Sequence, residues 1–215
     1  MKQLNDIRQN SDRAETPPPW EGVGGRFVLT YPTFFLNEPE QIKQVLQDEN
    51  VILHLRKPDA TEAEYEALLQ AIPATFHKRV VLHDYYHLQK KYAVGGFHFS
   101  TKKRAETNNL ADWRIDKLSL STSTHSLEEL ETIDDLFDYA FLSPIFPSIS
   151  KQGYEGNLDM QAVQAYLHKP HQTKVIALGG IDESRIPQLK EWGFDGYAML
   201  GSVWVPPPAQ PKEGS

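Results

Sequence analysis

The chain has 215 residues, of which 40% are hydrophobic and 24% are charged, and these values are ordinary for one globular domain with a full core. Its formal net charge is −7, so it lacks the basic surface that is typical of a general nucleic-acid binder. The chain contains no cysteine, which excludes disulfides, thiolate metal sites and cysteine nucleophiles.

The two ends of the chain differ in composition from its middle. Residues 1–25 are polar and then rich in proline and glycine, and residues 206–215 are similar. We expect both to be flexible extensions of one domain over residues 26–205. Neither a signal-peptide core nor a run of transmembrane length occurs, so we expect a cytoplasmic protein without a membrane partner.

Strands and helices are predicted to alternate between these ends. Short apolar runs predict strands over residues 26–31, 51–55, 79–84, 95–99, 116–122, 138–143, 174–180 and 195–200. Helical patterns cover residues 38–48, 61–72, 86–92, 127–136, 158–168 and 183–192. Thr61 followed by Glu64 predicts a capping box, and Ser126 is a predicted N-cap.

This alternation predicts the fold class. The strands are continuous apolar runs, as in a parallel sheet that is covered on both faces, and eight such units fit a compact (β/α)8 TIM barrel in one domain. A doubly wound open sheet is the alternative. Pro206–Pro208 follow the eighth strand, so we expect the eighth helix to be missing. The N-terminal extension or the partner subunit of a homodimer would then cover that flank.

Polar residues collect at the predicted carboxyl ends of the strands, where such barrels carry their active sites. His125 lies in the segment "STSTHS", beside four hydroxyl-bearing side chains, and imidazole is suited to proton transfer near neutral pH. The alternative is a structural histidine before a helix. His125 is therefore the candidate acid/base.

Two glycine-containing turns are candidate phosphate sites. Gly179–Gly180 and Gly201–Ser202 follow the last two strands, where phosphate sites of barrels are commonly found. The alternative is that both are ordinary turns that need a positive φ. The segment "FLSPIFPSISK", residues 141–151, opens from a strand into a loop that predicts anion binding through Ser148, Ser150 and Lys151.

Three histidines near strand ends, His54, His83 and His98, raise the question of a metal. Their spacing resembles no known set of zinc ligands, so we predict no metal site there.

The motifs at the strand ends resemble the thiamine phosphate synthase and TenI superfamily over about residues 26 to 204. "DYAFLSPIFPSISK" is similar to the family pattern D-Y-x-x-x-G-P-x-F-x-T-x-T-K, and "VIALGGI" is similar to A-I-G-G-I. "STHS", "GGFHF" and "HLRK" are weaker matches. The resemblance implies a (β/α)8 barrel that acts in thiamine biosynthesis on small-molecule phosphates.

The family has two activities, and the resemblance implies different residues for each. The synthase joins hydroxymethylpyrimidine pyrophosphate to a thiazole phosphate with Mg²⁺. TenI-type relatives move a proton on a thiazole carboxylate phosphate and use no metal. His125 matches the acid/base of TenI-type proteins, Ser123 matches the family serine two positions earlier, and Arg56 matches the arginine of Q-x-R-x-K.

The pyrimidine or metal side departs from the synthase pattern. His54 replaces a glutamine, and His83–Asp84 stand where the family has Asn–Asp. Lys103 occupies the place of a second carboxylate in G-x-H-x-G-Q-x-D. Lys57 comes one residue before the family lysine, and a slip of one residue in a strand turns the side chain to the other face.

These departures favour a thiazole tautomerase without a cofactor. A divergent synthase, with Asp84 binding Mg²⁺, is one alternative, and a non-catalytic binder of thiazole or thiamine phosphate is the other.

Overall fold

Eight parallel strands form a closed barrel in the computed structural model, which describes residues 25–115, 118–147 and 158–204. The strands are Gly25–Leu29 (β1), Val51–Leu55 (β2), Val80–Leu82 (β3), Gly96–Phe99 (β4), Ser119–Thr124 (β5), Tyr139–Leu142 (β6), Lys174–Leu178 (β7) and Gly196–Met199 (β8). Phe27 of β1 lies opposite Ala198 of β8, and this pairing closes the sheet. The predicted barrel is confirmed, and the open-sheet alternative is excluded.

Helices surround this barrel. They are Glu38–Val45 (α1), Glu62–Ala71 (α2), Thr101–Glu106 (α3), Leu127–Ile133 (α4), Met160–Leu167 (α5) and Ile186–Glu191 (α6), with 3₁₀ helices at Ala74–Arg79, Tyr86–Lys90, Leu110–Trp113 and Glu183–Arg185. The predicted capping box is present, since Thr61 N donates to Glu64 Oε2 and Glu64 N donates to Thr61 Oγ1. Ser126 caps α4 by accepting from Glu129 N at 3.1 Å. The helices that the structure describes are all too short or too polar to span a bilayer.

The region from β4 to β5 differs from the prediction. Helix α3 was not predicted, because its six residues, "TKKRAE", carry no apolar stripe. Strand β5 runs to Thr124, two residues beyond its predicted end, because its threonines bond neighbouring strands. Thr122 Oγ1 donates to Phe99 O at 2.7 Å, and Thr124 Oγ1 donates to Phe141 O at 3.1 Å. His125 therefore follows directly from the strand.

The core has an inner and an outer layer, because alternate strand residues point to opposite faces. The inner layer fills the barrel with eight buried side chains: Phe27, Leu29, Ile52, Val81, Tyr139, Phe141, Ile176 and Ala198. His54 and His83 lie two residues beyond Ile52 and Val81, and therefore share this inner face.

The flank between β8 and β1 lacks a helix within the described residues. The described chain passes from β8 through a turn to Trp204, whose indole Nε1 donates to Leu29 O at 2.6 Å. Its ring centroid lies 6.3 Å from that of Phe35. The buried Trp204 therefore covers this flank near the carboxyl end of β1.

Candidate active site

His125 lies exposed at the carboxyl end of β5, between β5 and β6. Its Nδ1 is 2.9 Å from the carbonyl oxygen of Ser143, just after β6. Because a carbonyl oxygen only accepts, Nδ1 carries the hydrogen and a neutral imidazole presents a lone pair at Nε2. Nε2 is thus the nitrogen of this ring that the Ser143 carbonyl does not use.

Arg104 of α3 fixes the strand end that carries His125. Its guanidinium donates to Ser123 O at 2.6 Å and to Thr122 Oγ1 at 2.7 Å, and it pairs with Glu129 at 3.0 Å. Neither Arg104 nor Ser143 was identified from the sequence, because both act through partners that are distant along the chain.

The two candidate phosphate turns lie side by side. Ser202 Oγ donates to Ile181 O at 3.2 Å, which joins the turn after β8 to the turn after β7. Gly179 and Gly180 have φ values of 100° and 62°, so both adopt the conformation that favours glycine. In contrast, a Cβ on Gly201 would meet nothing within 4 Å.

Close packing also requires the glycine pair. A Cβ on Gly179 would lie 2.9 Å from Pro144 Cα, and one on Gly180 would lie 2.8 Å from Pro147 O. The positive φ values and this packing account for both glycines, and the phosphate role of this turn stays a prediction.

Arg56 and Lys57 at the end of β2 have separate environments. Lys57 is buried and pairs with Glu38 at 2.6 Å, and it also donates to Tyr31 O and Thr33 O. The expectation that Lys57 turns away from the site is confirmed. Arg56 is half-buried, and after burial itself its positive charge is the next cause of the lowered pKa of His98, so it lies near the inner histidines.

The residues at the expected metal position do not fit Mg²⁺. Lys103 Nζ donates to Asp84 Oδ1 and, at 2.7 Å, to His83 O. The same ammonium lies 4.8 Å from the centroid of the Tyr86 ring. Mg²⁺ needs oxygen ligands. Lys103 stands at the sequence position where the family has its second carboxylate, and its ammonium also bonds the first carboxylate, Asp84.

His54, His83 and His98 form a buried cluster on the inner face. His54 Nδ1 lies 2.9 Å from His83 Nε2, and His54 Nε2 lies 2.9 Å from Tyr139 Oη. His98 bonds Ser121 Oγ through Nδ1 at 2.9 Å and Ser123 Oγ through Nε2 at 2.8 Å. The Ser123 hydroxyl therefore faces the cluster.

Burial keeps the cluster uncharged. It lowers the pKa of His98 to about 3, with a further contribution from Arg56, Arg104 and Lys103. Burial likewise holds the pKa of His54 and of His83 well below the usual value of 6.5. The rings can thus act as neutral donors, acceptors or ligands.

Three predicted anion-binding residues, Ser148, Ser150 and Lys151, lie outside the described residues. Their part in the site stays a prediction. The structure brings the others to one end of the barrel, with His125, the two turns, Arg56 and the Asp84–Lys103 pair all following strand ends.

Comparisons with known proteins show the family of the chain. The family model described as thiamine monophosphate synthase, TMP-TENI, matches residues 29–203. The thiamine-phosphate synthase of Cronobacter sakazakii is 28% identical over 159 residues, which are 72% of this chain and 75% of that protein. The corresponding protein of Klebsiella pneumoniae is 24% identical over 75% of this chain and 78% of its own length.

Solved structures show the same barrel. A thiamine phosphate pyrophosphorylase from Bacteroides thetaiotaomicron aligns with a TM-score of 0.66 and 31% identity over 84% of each chain. One from Pyrococcus furiosus has a TM-score of 0.63 at 15% identity, over 83% of this chain and 89% of its own, and shows the fold alone. Because the family model covers nearly the whole barrel, the chain belongs to the thiamine monophosphate synthase (TMP-TENI) family.

Proposed function

We propose that this protein is a TenI-type thiazole tautomerase, which moves a proton on a thiazole carboxylate phosphate without a metal. The observation that carries the proposal is the bond from Lys103 Nζ to Asp84 Oδ1. Synthase chemistry expels pyrophosphate, whose developing charge a metal neutralises. Proton transfer within one substrate has no such leaving group.

His125 supplies the proton-transfer group in this proposal. With Nδ1–H held by Ser143 O, Nε2 takes a proton from the non-aromatic ring of the substrate. The resulting imidazolium keeps its bond to the carbonyl, which stabilises the positive charge. It then returns a proton at a second substrate position, so one proton leaves, one is added, and the product is the aromatic isomer.

The joined turns would bind the substrate's phosphate. Gly180 and Ser202 follow the last two strands, where barrels commonly hold phosphate, and their backbone N–H groups would donate to it. The Ser202 hydroxyl would add a donor by turning away from Ile181 O. Arg56 lies near the inner histidines, and a guanidinium is suited to bind a carboxylate. Ser148, Ser150 and Lys151 are proposed to contribute to the same anion site.

The inner end of the site favours a single substrate. His54, which the resemblance assigns to the pyrimidine side together with His83, bonds His83 through Nδ1 and Tyr139 through Nε2. Both ring nitrogens of His54 thus have protein partners, whereas a synthase must present such atoms to a second ring.

Thiamine-phosphate synthase is the second candidate, because the curated relatives carry that name. In that reaction the chain would join the two substrates, and Lys103 would have to act as a fixed cation in place of Mg²⁺. Formation of thiamine phosphate from both substrates would favour this candidate.

The deciding experiment is an assay of the purified protein with the thiazole carboxylate phosphate. We expect wild-type protein to form the aromatic tautomer, at a rate that added Mg²⁺ does not change. His125→Ala should lower that rate by about 10²–10⁴-fold, the usual contribution of general acid–base catalysis. His168→Ala, at an exposed histidine directly after α5, is the matched control and should keep the wild-type rate.

Two results would contradict the proposal. One is a His125→Ala variant that converts the substrate as fast as wild type. The other is tight binding of thiazole phosphate by calorimetry with neither activity, which identifies a non-catalytic binder.

A further inference from the structure

We propose that His54, His83 and His98 form a binding site for one divalent transition-metal ion of the zinc type, inside the barrel and separate from the proton-transfer group. The sequence spacing gave no reason to expect it. The fold gives a reason to expect this site, because β2, β3 and β4 are neighbours in the barrel. His54 lies in β2, His83 directly follows β3, and His98 lies in β4, so the three rings meet on the inner face. One ring nitrogen of each lies within 4.8 Å of the other two.

The distances are close to those of a metal centre. Zinc–nitrogen bonds of about 2.0–2.1 Å in tetrahedral geometry place ligand nitrogens about 3.4 Å apart. His54 Nδ1 and His83 Nε2 are already 2.9 Å apart, so this pair needs to open by about half an ångström. The third nitrogen approaches by a rotation of the His98 ring away from Ser123.

The outer nitrogens have partners of the kind that metal-binding histidines use. A metal-bound histidine usually donates its second N–H to a fixed acceptor, which sets the tautomer. His54 Nε2 faces Tyr139 Oη at 2.9 Å, and His98 Nδ1 faces Ser121 Oγ at 2.9 Å. With Nε2 protonated, His54 Nδ1 accepts the hydrogen bond from His83 Nε2, and a bound cation would take the place of that shared hydrogen while the His83 proton moves to Nδ1.

Packing holds the rings and limits access. The Phe141 ring lies 4.6 Å from the His54 centroid and 5.0 Å from the His98 centroid. His54 and His98 are almost fully buried, and His83 is 8% exposed. A fourth ligand would enter past His83, the least buried of the three rings, and an anion such as hydroxide would offset the positive charges of Arg56 and Lys103, which oppose a bound cation.

The ligand chemistry selects the metal. Imidazole nitrogens suit zinc, copper, iron, cobalt and nickel, whereas Mg²⁺ prefers oxygen. The site is therefore distinct from the Asp84 position, and it does not depend on the proposed tautomerase activity.

The test uses Co²⁺ as a spectroscopic probe on full-length protein that has been dialysed against a chelator. We expect one equivalent of Co²⁺ to give ligand-field absorption of a low-coordinate nitrogen site, and Zn²⁺ to displace it. Zn²⁺, but not Mg²⁺, should also raise the melting temperature, because a ligand that binds only the folded state stabilises it.

Three variants assign the site. His98→Gln should abolish the Co²⁺ band, and Tyr139→Phe, which keeps the packing volume, should weaken Co²⁺ binding by about 10–100-fold. His168→Ala, the exposed control, should bind as wild type does. His125→Ala should keep the Co²⁺ band, so that failure of the tautomerase proposal and failure of this one are distinguishable.

Wild-type protein itself can overturn the proposal, even where a variant fails to fold. A titration that gives no Co²⁺ band and no Zn²⁺-dependent rise in melting temperature excludes the site. So does a band that His168→Ala abolishes, or one that a folded His98→Gln variant keeps.

Discussion

At the scale of single residues, Lys57 shows how one position in a strand decides a role. It follows Arg56 directly, so its side chain leaves β2 on the opposite face and enters a buried pair with Glu38. Both oxygens of Glu38 accept from Nζ, at 2.6 and 2.7 Å. The side chains of Lys57 and Glu38 are 0% and 1% exposed, so the attraction between the two charges is the main compensation for the cost of removing each from water.

Removing one member of this pair should destabilise the barrel strongly. We expect Lys57→Met to lower the free energy of unfolding by about 3–5 kcal/mol, because the Glu38 carboxylate stays buried without its cation. Urea denaturation of wild type and variant measures the difference. The double variant Glu38→Leu/Lys57→Met should recover most of the loss, and a single variant as stable as wild type would contradict the prediction.

Much of this residue-scale detail is accessible from sequence, but only where it is local. The Thr61–Glu64 capping box and the outward turn of Lys57 follow from spacing along the chain. The bond between Lys103 and Asp84 joins residues of different strand–helix units, and so do the contacts within the histidine cluster. Their formation depends on strand register, which the sequence does not state.

At the scale of elements, the amino ends of β7 and β8 are tied together by Asp195. Its carboxylate accepts from Val175 N at 2.8 Å and Lys174 Nζ at 3.1 Å, and pairs with His171 Nε2 at 3.0 Å. The bond to Asp195 is the main cause that raises the pKa of His171 above its usual value of 6.5.

This link predicts a pH dependence of stability. Because the folded-state pKa of His171 is raised, its contribution is complete below 6.5 and is lost as the pH rises through the folded value. The stability difference between wild type and His171→Gln should be about 1 kcal/mol on the acid side and should shrink at alkaline pH.

Urea denaturation across that pH range is the measurement, and His168→Gln is the control with an exposed histidine. A difference between wild type and His171→Gln that grows with rising pH would have the wrong sign.

The order of the elements was predictable, but some of their types and ends were not. Continuous apolar runs located all eight strands, whereas the predicted helix over 86–92 is a 3₁₀ helix at Tyr86–Lys90. Strand β5 extends through serines and threonines that are typical of loops, because their hydroxyls bond carbonyls of adjacent strands. Tertiary partners outweighed local propensity in both cases.

At the scale of the whole molecule, closure of the barrel follows from the number of strand–helix units, and within the described residues the flank between β8 and β1 is the one that no helix covers. A groove on the outer side there is lined in part by Arg26, Asp182, Met199 and Ser202. Among the described residues, Arg26 Nε is a buried nitrogen without a hydrogen-bond partner. Buried polar atoms of this kind are normally satisfied, and here the same guanidinium is held through Nη1, which pairs with Asp48 at 3.1 Å.

We expect a second copy of the chain to meet this flank, as a homodimer. Size-exclusion chromatography with light scattering should give twice the chain's mass of 24.5 kDa. Val203→Glu, on the flank, should shift the protein toward the single-chain mass, because a charge buried in an interface without a partner is costly. Lys169→Glu, at an exposed position after α5, should leave the mass unchanged. A wild-type protein with the mass of one chain at every concentration would contradict the dimer.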